Sequence, residues 1–220
     1  MEIHSTEEQQ VEAIKKWWKE NMWSLVGGVA IGIAVLVGGR ALVDGQNTYI
    51  ESASAEYLQM QENMTSGKND EAATHAAQLL GQYSDTPYAA LAALAMAKIK
   101  TDVGDLTAAS SHLRWAMDNT SQEAVGHEAR LRLSRILLAE KNTSEALGLL
   151  DVADTGTYAS AYEQLKGDIY VADGKTESAR TAYTRALKQL LPTAPDRNSL
   201  QMKLDDLGSV NAVISTEDVS

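Results

Sequence analysis

The sequence contains no cysteine and only three prolines, and both shortages limit what the protein can be. Without cysteine there is no disulfide, no thiolate metal site and no cysteine nucleophile, so packing alone must stabilise the fold. The stretches between the prolines are rich in Ala, Leu, Glu, Gln and Lys, which favour helices. Runs of alternating β-branched residues are also absent. We therefore expect an all-α protein.

Positive charge is scarce as well. The chain has 19 Lys and Arg against 30 Asp and Glu, which gives a net charge of −11. From position 41 onward, 25 acidic and 15 basic residues account for −10 of that total. Nucleic-acid binding requires a basic surface, so we expect no nucleic-acid partner.

Charged side chains are missing altogether from residues 21–39. A helix rises 1.5 Å per residue and needs about 20 apolar residues to cross a membrane, so residues 22–43 are predicted to span it. A cleaved signal peptide is the main alternative. Its apolar region is usually only about 7–15 residues long and ends in a small-x-small cleavage site, which residues 40–44 do not supply. We expect an anchor that is not cleaved.

Basic residues around this span predict its orientation. Lys15, Lys16 and Lys19 precede it, whereas Arg40 is the only basic residue in the twenty positions that follow position 39. Positive charge stays in the cytoplasm. We therefore predict a cytoplasmic tail over residues 1–21, a transmembrane helix over 22–43 and a periplasmic domain over 44–220. The localisation expected is the bacterial inner membrane, with a single pass.

Small residues recur along the span. Ser24, Gly28 and Gly32 follow one another every four positions, which predicts a face on which another transmembrane helix could dock. A second row of small residues lies roughly opposite. The alternative is that glycine and alanine are simply common in membrane helices. Both interpretations remain open at this point.

The part of the chain after the span has a repeating pattern of small and large residues. Gly167, Tyr170, Ala179, Tyr183 and Ala186 have the spacing of a tetratricopeptide repeat, with a turn at Asp173-Gly174. The same template fits two earlier units. Their matching positions are Ala97, Gly104, Ala109, Leu113 and Ala116, then Ser134, Leu137, Ala146, Leu150 and Ala153. The pattern predicts a tetratricopeptide-like α-solenoid.

Less regular segments flank these three units. A helix that ends near residue 64, a turn over 66–70 and a helix over 71–82 predict a preceding helix pair, and Pro87 opens the next one. Residues 196–210 carry Leu200, Leu204 and Leu207 on one stripe. That stripe predicts a terminal helix that caps the array.

The first helix of each unit is expected to line the inner face of the solenoid. The inward positions form a predicted protein-binding groove with apolar centres and charged edges. Its residues are Leu91, Leu94, Lys98, Glu128, Leu131, Arg135, Leu138, Gln164, Asp168 and Val171. The alternative for each leucine is that it packs between neighbouring helices.

No residue pattern predicts catalysis. His4, His75, His112 and His127 are scattered without the spacing of metal ligands, so we expect surface histidines and no metal. There is no nucleophile elbow, phosphate-binding loop or dinucleotide fingerprint. We expect neither a catalytic residue nor a cofactor.

Several strings in the sequence resemble a known family. VEAIKKWWKEN before the span, DTPYAALAALAMAK at 85–98 and QMKLDDL at 201–207, together with the glycine-rich span and the divergent repeats, resemble the ancillary SecYEG translocon subunit family of Gram-negative bacteria. The resemblance implies a single-pass inner-membrane protein with a periplasmic repeat domain and no defining catalytic residues. Its implied partners are the SecYEG translocon, a PpiD-type membrane-anchored chaperone and unfolded exported polypeptides, which it helps to pass to periplasmic chaperones.

The residues and the resemblance lead to one main hypothesis. The protein is expected to be a non-enzymatic accessory subunit that holds a weak binding groove beside a protein channel. The alternative is a tethered repeat scaffold for envelope assembly or stress signalling that has no contact with exported chains.

Overall fold

A computed structural model describes the backbone of residues 7–217 and the side chains of residues 9–208. Helices account for all the regular structure in that range, so the predicted all-α class is confirmed. The elements are α1 (Glu7–Thr65), α2 (Asn69–Gln82), α3 (Pro87–Asp102), α4 (Leu106–Asn119), α5 (Glu123–Ala139), α6 (Thr143–Leu149), a 3-10 turn (Gly156–Tyr158), α7 (Ala159–Ala172), α8 (Thr176–Gln189) and α9 (Arg197–Glu217).

The chain divides into two compact units, residues 1–52 and 53–220. The first unit contains most of α1, in which large apolar side chains are exposed; Leu36, for example, is 71% exposed. In the part of the chain that the structure describes, α1 is the one helix long and apolar enough to cross a membrane. The boundaries predicted at 21/22 and 43/44 both fall inside α1. They refer to the membrane and remain predictions.

The second unit consists of helix pairs held together by small buried residues. Ala109, Ala146 and Ala179, the key alanines of the three predicted units, are all fully buried. At Gly167 in α7, an added Cβ would lie 2.3 Å from the ring of Tyr183 in α8. Because only glycine leaves room for that ring, α7 and α8 can approach closely. The predicted tetratricopeptide-like pairing of α3–α4, α5–α6 and α7–α8 is confirmed.

The turn inside each pair has the same geometry. Gly67, Gly104, Lys141 and Gly174 have φ values between 62° and 80°. In each of these turns, the residue that follows the one with positive φ donates its backbone N–H to the carbonyl of the residue five positions before it. The N···O distance is 2.8 or 2.9 Å. This left-handed closure satisfies carbonyls at the end of the first helix and turns the chain toward the second. Among the described residues, four turns of one kind therefore mark the three predicted units and a preceding helix pair, which is formed by the end of α1 and α2.

One repeat position was predicted wrongly. The template extends the second unit to Ala153, but α6 ends at Leu149 and Ala153 is exposed. The carboxylate of Asp154 accepts a hydrogen bond of 2.8 Å from the N–H of Gly156, which favours a turn over continued helix. The 3-10 turn then leads directly into α7.

The two ends of the array follow the prediction. Ala53 and Met60 near the end of α1 are buried together with Leu79 of α2 in one apolar cluster. At the other end, Leu200 and Leu207 of α9 are buried against α8, and Leu204 is partly buried beside them. The predicted terminal helix that caps the array is thus confirmed.

Candidate functional site

An apolar cleft with a charged rim lies where α3, α4 and α5 meet, and we name it the α3–α5 cleft. Its volume is about 400 Å³. The lining residues are Ala97, Lys98, Thr101, Asp102, Leu113, Arg132, Arg135 and Ile136. Since α3 and α5 are the first helices of neighbouring pairs, this is the inner face on which the sequence predicts a groove.

The apolar part of the cleft belongs to the protein core. Ala97, Leu113 and Ile136 each have less than a tenth of their surface exposed, and they form part of the largest apolar cluster. Their positions are fixed by the packing of α3, α4 and α5. A cleft of this kind is preformed, so ligand binding does not require the residues at its base to lose further conformational entropy.

The rim of the cleft carries three cations and one carboxylate. Lys98 Nζ lies 2.6 Å from Asp102 Oδ2, one helical turn away. Arg132 Nε lies 2.6 Å from Oε1 of Glu128, also one turn away and just outside the cleft. Such exposed pairs contribute only about 0.3–0.5 kcal/mol each to stability. Arg135 is exposed, and no carboxylate among the described residues forms an ion pair with it.

The structure brings together only part of the predicted groove. Lys98 and Arg135 line the cleft, and Glu128 holds Arg132 at its rim. Leu94 and Leu131 are buried in the core, and Leu91 and Leu138 are partly buried against the same core. These four leucines pack between helices, which is the alternative considered for them above.

Sequence reasoning missed Arg132 and Asp102. Both lie four positions after a predicted groove residue of opposite charge, Glu128 and Lys98 respectively. That spacing places oppositely charged side chains next to each other on a helix, so it was a usable signal.

The three predicted groove residues in α7 lie apart from the cleft. Gln164 is partly buried and Val171 is exposed, but neither lines it. Asp168 Oδ1 accepts hydrogen bonds from the Tyr183 hydroxyl and from Lys203 Nζ of α9, both at 2.7 Å. Burial and the neighbouring Asp168 carboxylate raise the pKa of the Tyr183 hydroxyl well above its usual range. Asp168 thus joins α7 to the terminal helix.

The described histidines reach the surface as predicted, but each is partly buried. His75 Nδ1 lies 2.7 Å from Glu56 Oε2, and His127 Nδ1 lies 2.8 Å from the Tyr162 hydroxyl. Burial lowers the pKa of His112, and the positive charge of Lys100 lowers it further. His4 lies outside the described residues. Within residues 9–208, no three His, Asp or Glu side chains are grouped so that they could hold a metal.

The predicted docking face of the span is accessible. Ser24, Gly28 and Gly32 are exposed on α1. Apart from its chain neighbours and the nearby backbone of α1, no described atom lies within 4 Å of a Cβ added at either glycine. Helix docking at this face remains a prediction.

Comparison with known proteins covers nearly the whole chain. The family model described as a tetratricopeptide repeat-like domain matches residues 15–209. The chain is 30% identical over 207 residues to a protein of Escherichia coli (strain K12) named ancillary SecYEG translocon subunit, which covers 94% of this chain and 99% of that relative. The chain belongs to the ancillary SecYEG translocon subunit family.

Further relatives in this family carry the same name. The Haemophilus influenzae protein is 30% identical over 203 residues, covering 91% of this chain and 97% of its own length. The Neisseria gonorrhoeae protein is 27% identical over 210 residues, covering 94% and 100%. The ancillary SecYEG translocon subunit family is not a class of enzymes. Its similarity to this chain includes both the apolar part of α1 and the helix pairs.

Proposed function

We propose that this chain is a membrane-anchored accessory subunit of the SecYEG translocon. Relatives that carry this name align with almost the full chain, including the apolar segment. The exposed apolar side chains of α1 suit a lipid environment, because in water they would be a large unfavourable surface. The span therefore holds the helix pairs at the inner membrane, beside the channel.

The proposed orientation has residues 1–21 in the cytoplasm and the helix pairs in the periplasm. It is supported by Lys15, Lys16 and Lys19 on the N-terminal side of the span. Protease added to spheroplasts tests this proposal. Digestion of the helix pairs, with protection of an epitope placed before residue 15, is the expected result; an intact C-terminal domain would contradict it.

The finer role that we propose is transient binding of extended polypeptide, either an emerging exported chain or a segment of a PpiD-type chaperone. The observation that carries this proposal is the α3–α5 cleft, an accessible apolar depression on the inner face of a helical repeat array. Tethering beside the channel raises the local concentration of the cleft, so a weak affinity is sufficient. Weak binding also permits release to periplasmic chaperones.

Photocrosslinking in native membranes tests this role. A photoreactive residue replaces Lys98 or Arg135 at the cleft, and in the control it replaces Lys188, which is exposed on α8 outside the cleft. We expect crosslinks to exported polypeptides, to a membrane-anchored chaperone or to both from the two cleft positions, and few from position 188. Equal crosslinking from all three positions would argue against the cleft.

Crosslinks also separate the proposed role from that of a tethered scaffold. A scaffold with no contact with exported chains would give crosslinks only to folded envelope proteins, whether or not secretion is active. The proposed role requires that polypeptide crosslinks disappear when secretion is blocked.

A further inference from the structure

We infer that the α3–α5 cleft recognises an acidic and apolar segment, in which a large apolar residue lies within two positions of an Asp or Glu side chain. This inference rests on the proposed polypeptide-binding function and specifies its ligand. It opposes the expectation from overall charge, because a domain with a net charge of −10 would by itself favour basic segments.

Local charge at the cleft is opposite in sign to that of the domain. Its lining includes Lys98, Arg132 and Arg135 against one carboxylate, that of Asp102. Exposed charges farther away than about 10 Å are largely screened at 0.1 M salt. A segment in contact with the rim therefore interacts mainly with these three cations and with the two carboxylates paired to them, Asp102 and Glu128, which leaves one positive charge in excess.

Arg135 is the specific anchor for a carboxylate. Lys98 and Arg132 each have a carboxylate 2.6 Å away, whereas Arg135 has no such partner in the part of the chain that the structure describes. A guanidinium can bind a carboxylate through two parallel hydrogen bonds. Arg135 can do so without breaking an existing ion pair.

The second requirement of the ligand comes from the base of the cleft. Ala97, Leu113 and Ile136 line that base in a cleft of about 400 Å³, and Ile136, at 7%, is the most exposed of the three. Successive residues of an extended chain are about 3.3 Å apart and alternate in direction. An apolar side chain in the cleft and a carboxylate one or two positions away can therefore reach both features together.

A second, more voluminous cleft lacks this arrangement. It is lined by residues of α6, α7 and α8, including Lys166 and Arg185. Both cations face Glu163, with Lys166 Nζ 3.4 Å and Arg185 Nη1 3.8 Å from its carboxylate oxygens. A ligand carboxylate would compete there with an internal one. Arg185 is thus a suitable control for Arg135.

The inference commits to a side-chain carboxylate and not to a chain terminus. In the proposed role the C-terminus of an exported chain leaves the channel last, whereas internal Asp and Glu residues pass the cleft throughout export. A terminal carboxylate has similar chemistry, so the experiment must separate the two sources.

The experiment measures peptide binding to the full chain in detergent micelles by fluorescence anisotropy. Three blocked ten-residue peptides carry one leucine flanked by two Glu, two Gln or two Lys residues, and a fourth is the Gln peptide with a free C-terminal carboxylate. We expect the Glu peptide to bind at least about tenfold more tightly than the other three, because only its side-chain carboxylates can form charge-assisted hydrogen bonds with Arg135 beside the bound leucine.

Matched variants locate the effect. Arg135→Gln is expected to remove the preference for Glu, whereas Arg185→Gln, which changes a side chain that is 66% exposed, keeps it. Far-UV circular dichroism verifies that both variants remain folded. A Glu preference that survives Arg135→Gln would overturn the inference, as would equal binding of all peptides or tightest binding of the free carboxylate, and each of these leaves the proposed function standing. If no peptide binds and position 135 gives no crosslinks, the proposed function fails as well.

Discussion

The helix pairs of the second and third predicted units, α5–α6 and α7–α8, share a template but differ at three places. At the crossing point the second pair has Ser134 and the third has Gly167. At the left-handed turn the second has Lys141 and the third has Gly174. The outer helix α6 contains seven residues, whereas α8 contains fourteen.

These differences separate what a helix pair requires from what it tolerates. Ala146 and Ala179 are fully buried in both pairs, so a small residue on the second helix is required. The residue allowed on the first helix depends on the side chain that faces it from the second helix. In the third pair Tyr183 requires Gly167, whereas in the second pair the smaller Leu150 leaves room for Ser134. The length of the outer helix affects neither contact.

The largest expected effect is at the crossing of the third pair. Gly167→Ala places a Cβ 2.3 Å from the Tyr183 ring, so the free energy of unfolding should fall by about 1–3 kcal/mol. Urea denaturation of the full chain in detergent, followed by circular dichroism, measures it. Gly148→Ala in α6 is the control. Apart from its chain neighbours and the nearby helix backbone, no described atom lies within 4 Å of that Cβ, so helix propensity should stabilise the variant by up to about 1 kcal/mol. Equal effects of the two changes would contradict the close crossing.

Exchanging the turn residues between the pairs should give opposite changes. Gly174→Lys imposes φ near 71° on a side chain, which costs about 1–2 kcal/mol. Lys141→Gly relieves a φ of 62°, and the greater freedom of glycine in the unfolded chain offsets part of the gain. We expect a net stabilisation of about 0.5–1 kcal/mol, measured by the same denaturation. Two changes of the same sign would show that the turns are not equivalent.

The ion pair that joins the third pair to α9 should have a smaller effect. Lys203 Nζ lies 2.7 Å from Asp168 Oδ1, but both side chains are partly exposed. We expect Lys203→Gln to reduce stability by about 0.5–1 kcal/mol and to speed amide hydrogen exchange mainly in α9. Lys188→Gln, an exposed position on α8, serves as the control. Faster exchange throughout α5 and α6 would mean that the contact is not local.

The smallest expected effect concerns acid stability and involves two partly exposed carboxylates. A hydrogen bond from Arg114 lowers the pKa of Glu145 in α6. A hydrogen bond from Lys175 and a weaker one from Thr143 of α6 lower the pKa of Asp173 in the turn of the third pair. Because both are lowered in the folded state, their stabilisation is fully present above the ordinary values of 4.5 and 3.8 and is lost as pH falls below them.

The double variant Glu145→Gln, Asp173→Asn tests this acid dependence. Its melting temperature should fall less steeply than that of the original chain between pH 5 and about 3, and the difference should shrink in high salt. Parallel curves at low salt would exclude a contribution from these two groups.

The helix pairs were predictable because their signals are local. Each element is indicated by residues only a few positions apart. These signals are the small residues at fixed spacing, Gly174 directly after Asp173, and the leucine stripe of α9. Lys141 gave no such signal. Its φ of 62° occurs in a turn closed by a hydrogen bond from the Asn142 N–H to the Leu137 carbonyl, and lysine is not a residue that predicts such a turn.

The candidate site was less predictable because it depends on contacts between helices. The template assigns Leu94 and Leu131 to the inner face, but neighbouring helices bury them. Asp168 forms an ion pair with Lys203, which is 35 positions away in the sequence and comes close only because α9 packs at this end of the array. The sequence does predict Lys98 and Arg135 as exposed inner residues. Their place beside Leu113 could be recognised only once α4 was positioned.

The terminal helix α9 also affects whether two molecules of this protein can associate through the ends of their repeat arrays. One side of α9 covers the apolar end of α8 with Leu200 and Leu207, and elsewhere it carries exposed polar residues such as Gln201 and Asp205, which hydrogen bond to each other. A repeat array without such a helix would offer an adhesive end to the next molecule and could grow into filaments. The capping helix thus disfavours end-to-end stacking of the helix pairs of neighbouring molecules.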